Sequence, residues 1–369
     1  MAFDALKKFF AEKILLPRVF RMDVPGYIVG KFYTFEGQSA FVRSIFMPEH
    51  FFTCLETRIE KKLGKNGLKR LYCVGKKFGW RFSELHHLST KNVRNSVDLT
   101  ANFLETLYAE KLSVNEVDVQ KKWIQLETIE LAITRVNNGG YALPIGAWAG
   151  VWAFLNRDLK LECALEKRKS SVHVLSAGPR ELLKKSKKSF FECDLQPKAF
   201  SRNYATLNTP PTQITGGYVS LNSLLDSNFF NYEAGKLELK TPRERFVSTE
   251  VSLLYWLEEE FGDLVEEAAF ECFSEIGKAN KSNGSASLFL AHLLTALGFG
   301  LVDASEGRNK NVALKGFPCL DEKSNVCKQR FVQGATKGIY AGFGGSKAKL
   351  KKISTMFIDN KLAINLKLG

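Results

Sequence analysis

Gly146 and Gly150 stand four apart with Trp148 between them and Trp152 just beyond, and the pattern returns as Gly334 and Gly338 ahead of Tyr340. Residues four apart share one face of a helix. Glycine inside a helix costs about 1 kcal/mol relative to alanine, and incurring that cost twice implies that something comes close to the helix backbone. Two occupants fit: a neighbouring element packed tightly, or a ligand in a cavity that the helix walls. Aromatic side chains give a cavity apolar area with few polar constraints. On that reading the ligand-contacting residues are Trp80, Phe82, Phe103, Tyr108, Gly146, Trp148, Gly150 and Trp152, all of which could equally be core.

Other reactive residue types lack supporting spacing. His86 and His87 are neighbours, and adjacent helical side chains diverge by about 100°; exposed histidines favoured by a helix C-terminus are the simpler reading. Gly342, Gly344 and Gly345 suggest a phosphate loop, but they follow a helix where such a loop follows a strand. The chain has no G-x-x-x-x-G-K-[ST], H-E-x-x-H, G-x-S-x-G or C-x-x-C motif. No catalytic residue and no cofactor is expected. Seven scattered cysteines, an odd number, do not describe a disulfide framework and predict mostly reduced thiols.

A second repeated signature fixes how these residues are carried. Glu60-Lys-Lys-Leu-Gly64 followed by Gly79 matches Glu258-Glu-Glu-Phe-Gly262 followed by Gly277 at the same interval. The chain is one module used twice, which suits 369 residues, a length that predicts about two domains. The expected division is an N-terminal amphipathic helix within 1–24, a first module over 25–178, a basic and polar linker over 179–217, and a second, diverged module over 218–369.

Within the first module, alternating β-branched and aromatic residues from Gly26 to Ser44 predict strands. Helices follow from Pro48 to Leu63, with Gly64 as C-cap, from Gly67 to Leu85 and from Asp98 to Glu110. Strands are expected over 114–119, 123–126 and 130–136, then a turn at Asn137–Gly140, a helix from Pro144, and closing strands over 159–165 and 172–175. The second module is expected to hold helices over 247–261, 264–277 and 287–297. A hairpin (301–304, 312–315), the second glycine-bearing helix from Cys327 to Phe343, and strands over 353–358 and 362–366 complete it.

Composition bounds the function. Apolar residues make up 45% and charged residues 25%, an ordinary globular balance outside the disordered range. The longest apolar run, 287–302, is too short to cross a membrane, and the N-terminus lacks the apolar centre of a signal peptide, so a cytoplasmic protein with no membrane span is expected. The net charge of +14 and the basic run Arg180–Lys188 raise nucleic acid as a partner. A solvated face explains the run equally well, and no recognition motif accompanies it.

The order of these elements, with Arg43-Ser-Ile-Phe, Leu71-Tyr-Cys-Val-Gly75-Lys-Lys-Phe-Gly79 and Pro144-x-Gly146-x-x-x-Gly150, resembles the 4-vinyl reductase domain family. That family is related to the sensor modules of phenol-responsive activators and, more remotely, to small TRAPP vesicle-tethering subunits. The resemblance covers 25–178 well and 218–368 weakly, with Phe273 standing where Gly75 does. It implies an α+β fold of two tandem modules, each an antiparallel sheet backed by helices, packed as a pseudo-dimer. It also implies a small-molecule site or a dimerisation surface.

Several family members hold zinc through cysteines. Here Cys319 and Cys327 are weak metal candidates, short of the four ligands a closed site wants, and no metal is expected. The expected function is non-enzymatic binding or sensing of a small apolar or aromatic ligand, signalled to a partner protein. The alternatives are a ligand-free interaction scaffold, including self-association, and a weak nucleic-acid-binding regulator.

Overall fold

The computed structural model describes residues 20–33, 39–109, 111–133, 140–167, 172–186, 188–195, 217–233, 236–282, 284–305, 310–316, 329–344, 350–358 and 361–368. Residues 3–16, over which the N-terminal amphipathic helix is expected, Asn137–Gly139 of the predicted turn, and Cys319 and Cys327 lie outside the described residues.

Element order repeats across the two halves. The first half runs β1 (Phe20–Val24), β2 (Tyr27–Tyr33), β3 (Ser39–Pro48), α1 (Glu49–Leu85), α2 (Val93–Tyr108), β4 (Lys111–Asp118), β5 (Trp123–Ile129), α3 (Ala142–Leu155), β6 (Glu162–Lys167) and β7 (Val172–Gly178). A short helix α4 (Arg180–Lys185) and α5 (Leu221–Asp226) intervene. The second half runs β8 (Phe230–Glu233), β9 (Lys236–Leu239), β10 (Glu244–Glu250), α6 (Val251–Phe261), α7 (Asp263–Asn280), α8 (Ala286–Ala296), β11 (Leu301–Ala304), β12 (Lys310–Lys315), α9 (Arg330–Gly342), β13 (Leu350–Ile358) and β14 (Lys361–Leu368). Helix α1 bends at Gly64 (φ 60°, ψ −151°) as the second half does between α6 and α7 at Gly262 (φ 49°, ψ −115°). Positive φ is nearly free for glycine alone.

The fold is α+β, with antiparallel sheets backed by helices. Two four-stranded sheets have the same order, β4-β5-β7-β6 and β11-β12-β14-β13. A six-stranded sheet takes strands from both halves, β1-β2-β3-β10-β9-β8, with β3 and β10 antiparallel at its centre, Ile45 opposite Thr249. The chain divides into two compact units. One comprises 1–31, 41–55 and 203–369, and the other 32–40 and 56–202.

In the unit holding the second half, the core is Phe331, Phe273, Phe51 and Phe299 around α7 and α9, all buried; Phe331 stacks on Phe299 at 5.3 Å and meets Phe51 edge-on at 4.9 Å. Arg43 is buried there, its guanidinium 4.2 Å from the Tyr27 ring and donating to the carbonyls of Gly26 and Gly298. In the other unit Leu126, Val174, Leu175 and Trp152 form the core between sheet and helices.

Several expected elements differ. Residues 130–133 form a bend and turn with positive φ at Glu130 (52°) and Ile133 (73°), so no strand forms over this part of 130–136. Helix onset near 247 is displaced to Val251, because Phe246–Glu250 pair with β3. His86 is 4% exposed, its ring 4.2 Å from Phe82, so only His87 is an exposed histidine at the end of α1. The expectation of reduced thiols fails at one pair: Cys73 and Cys193 are joined as a disulfide with Cα atoms 5.6 Å apart, while Cys54, Cys163 and Cys272 are free and buried.

Candidate functional site

What approaches the repeated glycines is another helix. A Cβ on Gly146 would fall on the Tyr72 carbonyl and one on Gly150 on the Lys76 carbonyl, while Gly75 and Gly79 face Leu143 and Ala147 reciprocally. Glycines on both partners let α1 and α3 meet backbone to backbone. The second half repeats the crossing, with Gly334, Gly338 and Gly342 against Glu266, Phe270 and Ser274, and Gly277 against Ile339. The tight-packing account of these glycines therefore holds, and α1 occupies the space that a ligand against the α3 glycines would need.

The aromatic candidates are spread through that same packing. Trp148 and Trp152 are 6% and 1% exposed, and the Trp152 indole donates to the Lys122 carbonyl at 2.8 Å. Trp80 is half-buried and edge-on to Phe154 at 5.3 Å. Phe82 is buried beside half-buried Phe103, ring centroids 5.9 Å apart, and Tyr108 is half-buried at the end of α2. The structure brings Phe82 and Phe103 together. It does not gather the whole set around one cavity among the described residues.

Glutamates hold the start of each glycine helix, a feature the sequence reading missed. Glu56 accepts backbone N–H bonds from Gly140, Tyr141 and Ala142 at 2.8–2.9 Å, and Glu258 accepts one from Phe331 at 3.0 Å. A carboxylate there satisfies amides that the helix leaves unpaired and complements its dipole. Burial raises the Glu56 pKa, and the three amide bonds only partly offset it. Aligning Glu60 with Glu258 hid the match, because the first half inserts one helical turn between the capping glutamate and the kink glycine. Glu244 does the same for α1, accepting from His50 N at 3.1 Å, and burial pushes its carboxyl up to about 7.

The second missed feature is a charged cluster in the first half. Glu162 is fully buried; its Oε2 accepts from Tyr72 Oη (2.7 Å) and Lys76 Nζ (2.8 Å), and its Oε1 from Arg180 (2.8 Å) and Cys193 N (2.8 Å). Lys76 Nζ also donates to the carbonyls of Leu159 (2.8 Å) and Cys193 (3.0 Å), which uses all three of its protons. Burial lowers the Lys76 pKa, with Glu162 opposing it. With the three Lys76 protons used and both Glu162 oxygens occupied, this pair fixes structure. The basic run is partly consumed by it: Arg180 pairs with Glu162 and Asp194, Lys184 with Glu192, and Lys188 with Glu166.

An open cleft of about 850 Å³ lies in the unit holding the second half. Its walls are α8 (Ser287, Leu288, Ala291, His292, Thr295), β11 (Val302, Asp303, Ala304), Asn311 and Ala313 of β12, and Tyr218 and Val219 ahead of α5. Small alanines leave the space, and Leu288, 53% exposed, presents apolar surface. Ser285 caps α8 by accepting from Leu288 N, which sets the direction of this wall.

Polar groups converge on the same cleft. Tyr218 donates to Asp303 at 2.7 Å and Lys315 pairs with that carboxylate at 3.1 Å, while burial lowers the His292 pKa and favours the neutral ring. A neutral imidazole offers one donor and one acceptor. The cleft thus suits an apolar body with a single hydrogen-bonding group, within the usual volume range for small-molecule sites of about 300–1,000 Å³. No sequence motif marked Tyr218, His292 or Asp303, since they converge only when α8 packs beside β11.

No group of three His, Cys, Asp or Glu residues among the described residues could hold a metal ion, and no helix there is long and apolar enough to cross a membrane. No protein-family model matches this chain, and no curated protein matches it.

Proposed function

We propose that this chain is a non-catalytic binding protein that takes a small apolar or aromatic ligand in the cleft between α8 and the β11–β12 hairpin and signals its occupancy to a partner. The cleft carries this reading: alanine-walled space beside Leu288, with His292, Tyr218 and Asp303 at hand to orient one polar group. Kinship with the 4-vinyl reductase domain remains part of the proposal. Its support is the element order written twice and the glycine-lined helix crossing in each half.

The test is a thermal-shift screen with phenols, aromatic acids and tetrapyrroles on wild type and Ala291→Trp, whose indole fills the cleft. The expected result is a shift of a few degrees for at least one class, lost in the variant; free ligand at about 100 times Kd contributes about 2.7 kcal/mol. Shifts of equal size in both proteins, or none with any compound, would reject the cleft as the site.

A second reading, a ligand-free scaffold built as a fused dimer, is favoured by the six-stranded sheet in which β3 and β10 pair across the two halves. It predicts a monomer by light scattering, because the fused halves replace self-association. Nucleic-acid binding loses much of its motivation, since Arg180, Lys184 and Lys188 are paired with carboxylates.

A further inference from the structure

Residues Ser189–Asp194 lie over one face of α1. Phe190 bridges Ala164 at the edge of β6, the Phe191 ring lies 5.5 Å from Tyr72, and Cys193 is bonded to Cys73. The Cys193 backbone is held by Glu162 and Lys76.

We propose that Ser189–Asp194 is a redox-released cover, opened when a dithiol reductant cleaves the Cys73–Cys193 bond. Cys73 is the partly exposed partner and Cys193 is 3% exposed, so the incoming thiolate attacks the Cys73 sulfur. The S–S bond breaks and Cys193 leaves as a thiolate that takes a proton. The second thiol of the reductant then displaces Cys73 from the mixed disulfide. Two electrons and two protons pass from the dithiol, which ends as a disulfide, to the two protein cysteines, which end as thiols.

The ion pairs that help to anchor the segment are weak. Arg180 with Glu192 and Asp194, and Lys184 with Glu192, are ion pairs in which the carboxylates are 41% and 77% exposed. Pairs of this kind contribute little and are screened by salt. The Phe190–Ala164 bridge, the hydrogen bonds of the Cys193 backbone to Lys76 and Glu162, and the Phe191–Tyr72 ring contact then hold a segment that the disulfide had kept at high effective concentration over α1. Opening exposes Tyr72 and hydrates the Lys76–Glu162 pair.

The test uses the full chain in two readouts. Alkylation of denatured protein, purified without reductant, should label Cys54, Cys163 and Cys272 and spare Cys73 and Cys193 until a dithiol is added. Hydrogen exchange of the native protein, before and after dithiothreitol, should accelerate roughly tenfold or more over 190–194 while the α1 amides around 68–80 stay protected, as local opening requires. The Cys193→Ser variant should match the reduced protein with or without dithiothreitol. Cys73 and Cys193 labelled at the outset, or exchange over 190–194 unmoved by reduction, would overturn the proposal. So would acceleration spread evenly over 56–186, which would make the bond a structural staple.

Discussion

Replacing Gly150 by alanine tests whether the helix crossing fills the space beside α3. Helix propensity alone favours the change by about 1 kcal/mol. Against it, the new Cβ would fall on the Lys76 carbonyl and lie 2.6 Å from Trp80 N, both backbone atoms that no rotamer change can move. The helices must separate by about 1 Å, which forfeits a quarter to a half of each van der Waals contact along the seam. Overpacking of this kind typically costs about 1–3 kcal/mol, and the loss of close contact at Gly75, Gly79 and Gly146 places this site at the upper end.

A net destabilisation of about 2 kcal/mol follows for Gly150→Ala, read by urea denaturation of the intact chain with the tryptophans as probe. Gly262→Ala separates the two causes, because its Cβ meets nothing within 4 Å and its penalty is backbone strain alone, at φ 49° and ψ −115°, outside the left-handed well; about 1–3 kcal/mol is expected there. A neutral or stabilising Gly150→Ala would refute the crossing and reopen that space to a ligand.

Removing one partner of the buried pair, as in Lys76→Met, should cost about 3 kcal/mol by taking one of the two cations from buried Glu162, with Arg180 still paired to its other oxygen, and Lys76→Met with Glu162→Leu should show coupling in a double-mutant cycle. Glu56→Ala should cost about 3 kcal/mol in urea unfolding, since three amides of α3 lose their acceptor. Glu244 carries a pH signature: its folded pKa of about 7 lies above the ordinary 4.5, so the folded state holds an extra proton between those values. Stability from this group is complete below pH 4.5 and falls by about 3 kcal/mol as pH rises through 7. Glu244→Gln should flatten that slope, and an unchanged slope in the variant would show that another group sets it.

The repeat was legible because it is written in residues that few alternatives can replace. Gly64 and Gly262 must adopt positive φ, and Gly146, Gly150, Gly334 and Gly338 must let a backbone pass, so geometry leaves the same letter at both sites. The expected bounds of α8 and of strands β11 to β14 lie close to the observed ones. Strand β10 was hidden because Phe246–Glu250 run directly into the apolar α6, and only pairing with β3 makes them extended. His86 reads as polar but packs on Phe82.

The sites were less legible than the fold. Trp148 and Trp152 have the same composition whether they line a cavity or fill a core, and the decision lies in α1, far away in sequence. Cys73 and Cys193 are separated by 120 residues, and no spacing rule joins them. The cleft residues Tyr218, His292 and Asp303 come from three separate elements, so their convergence is a property of packing alone.

Native mass spectrometry of freshly purified protein, alongside Ala291→Trp, addresses ligand binding most directly. A small molecule should accompany the wild-type chain, or be taken up from a mixture of phenols and aromatic acids, and should be absent from the variant. Wild-type protein that stays at its polypeptide mass under every loading condition, or a variant that carries the same adduct, would contradict binding in the α8–β11 cleft.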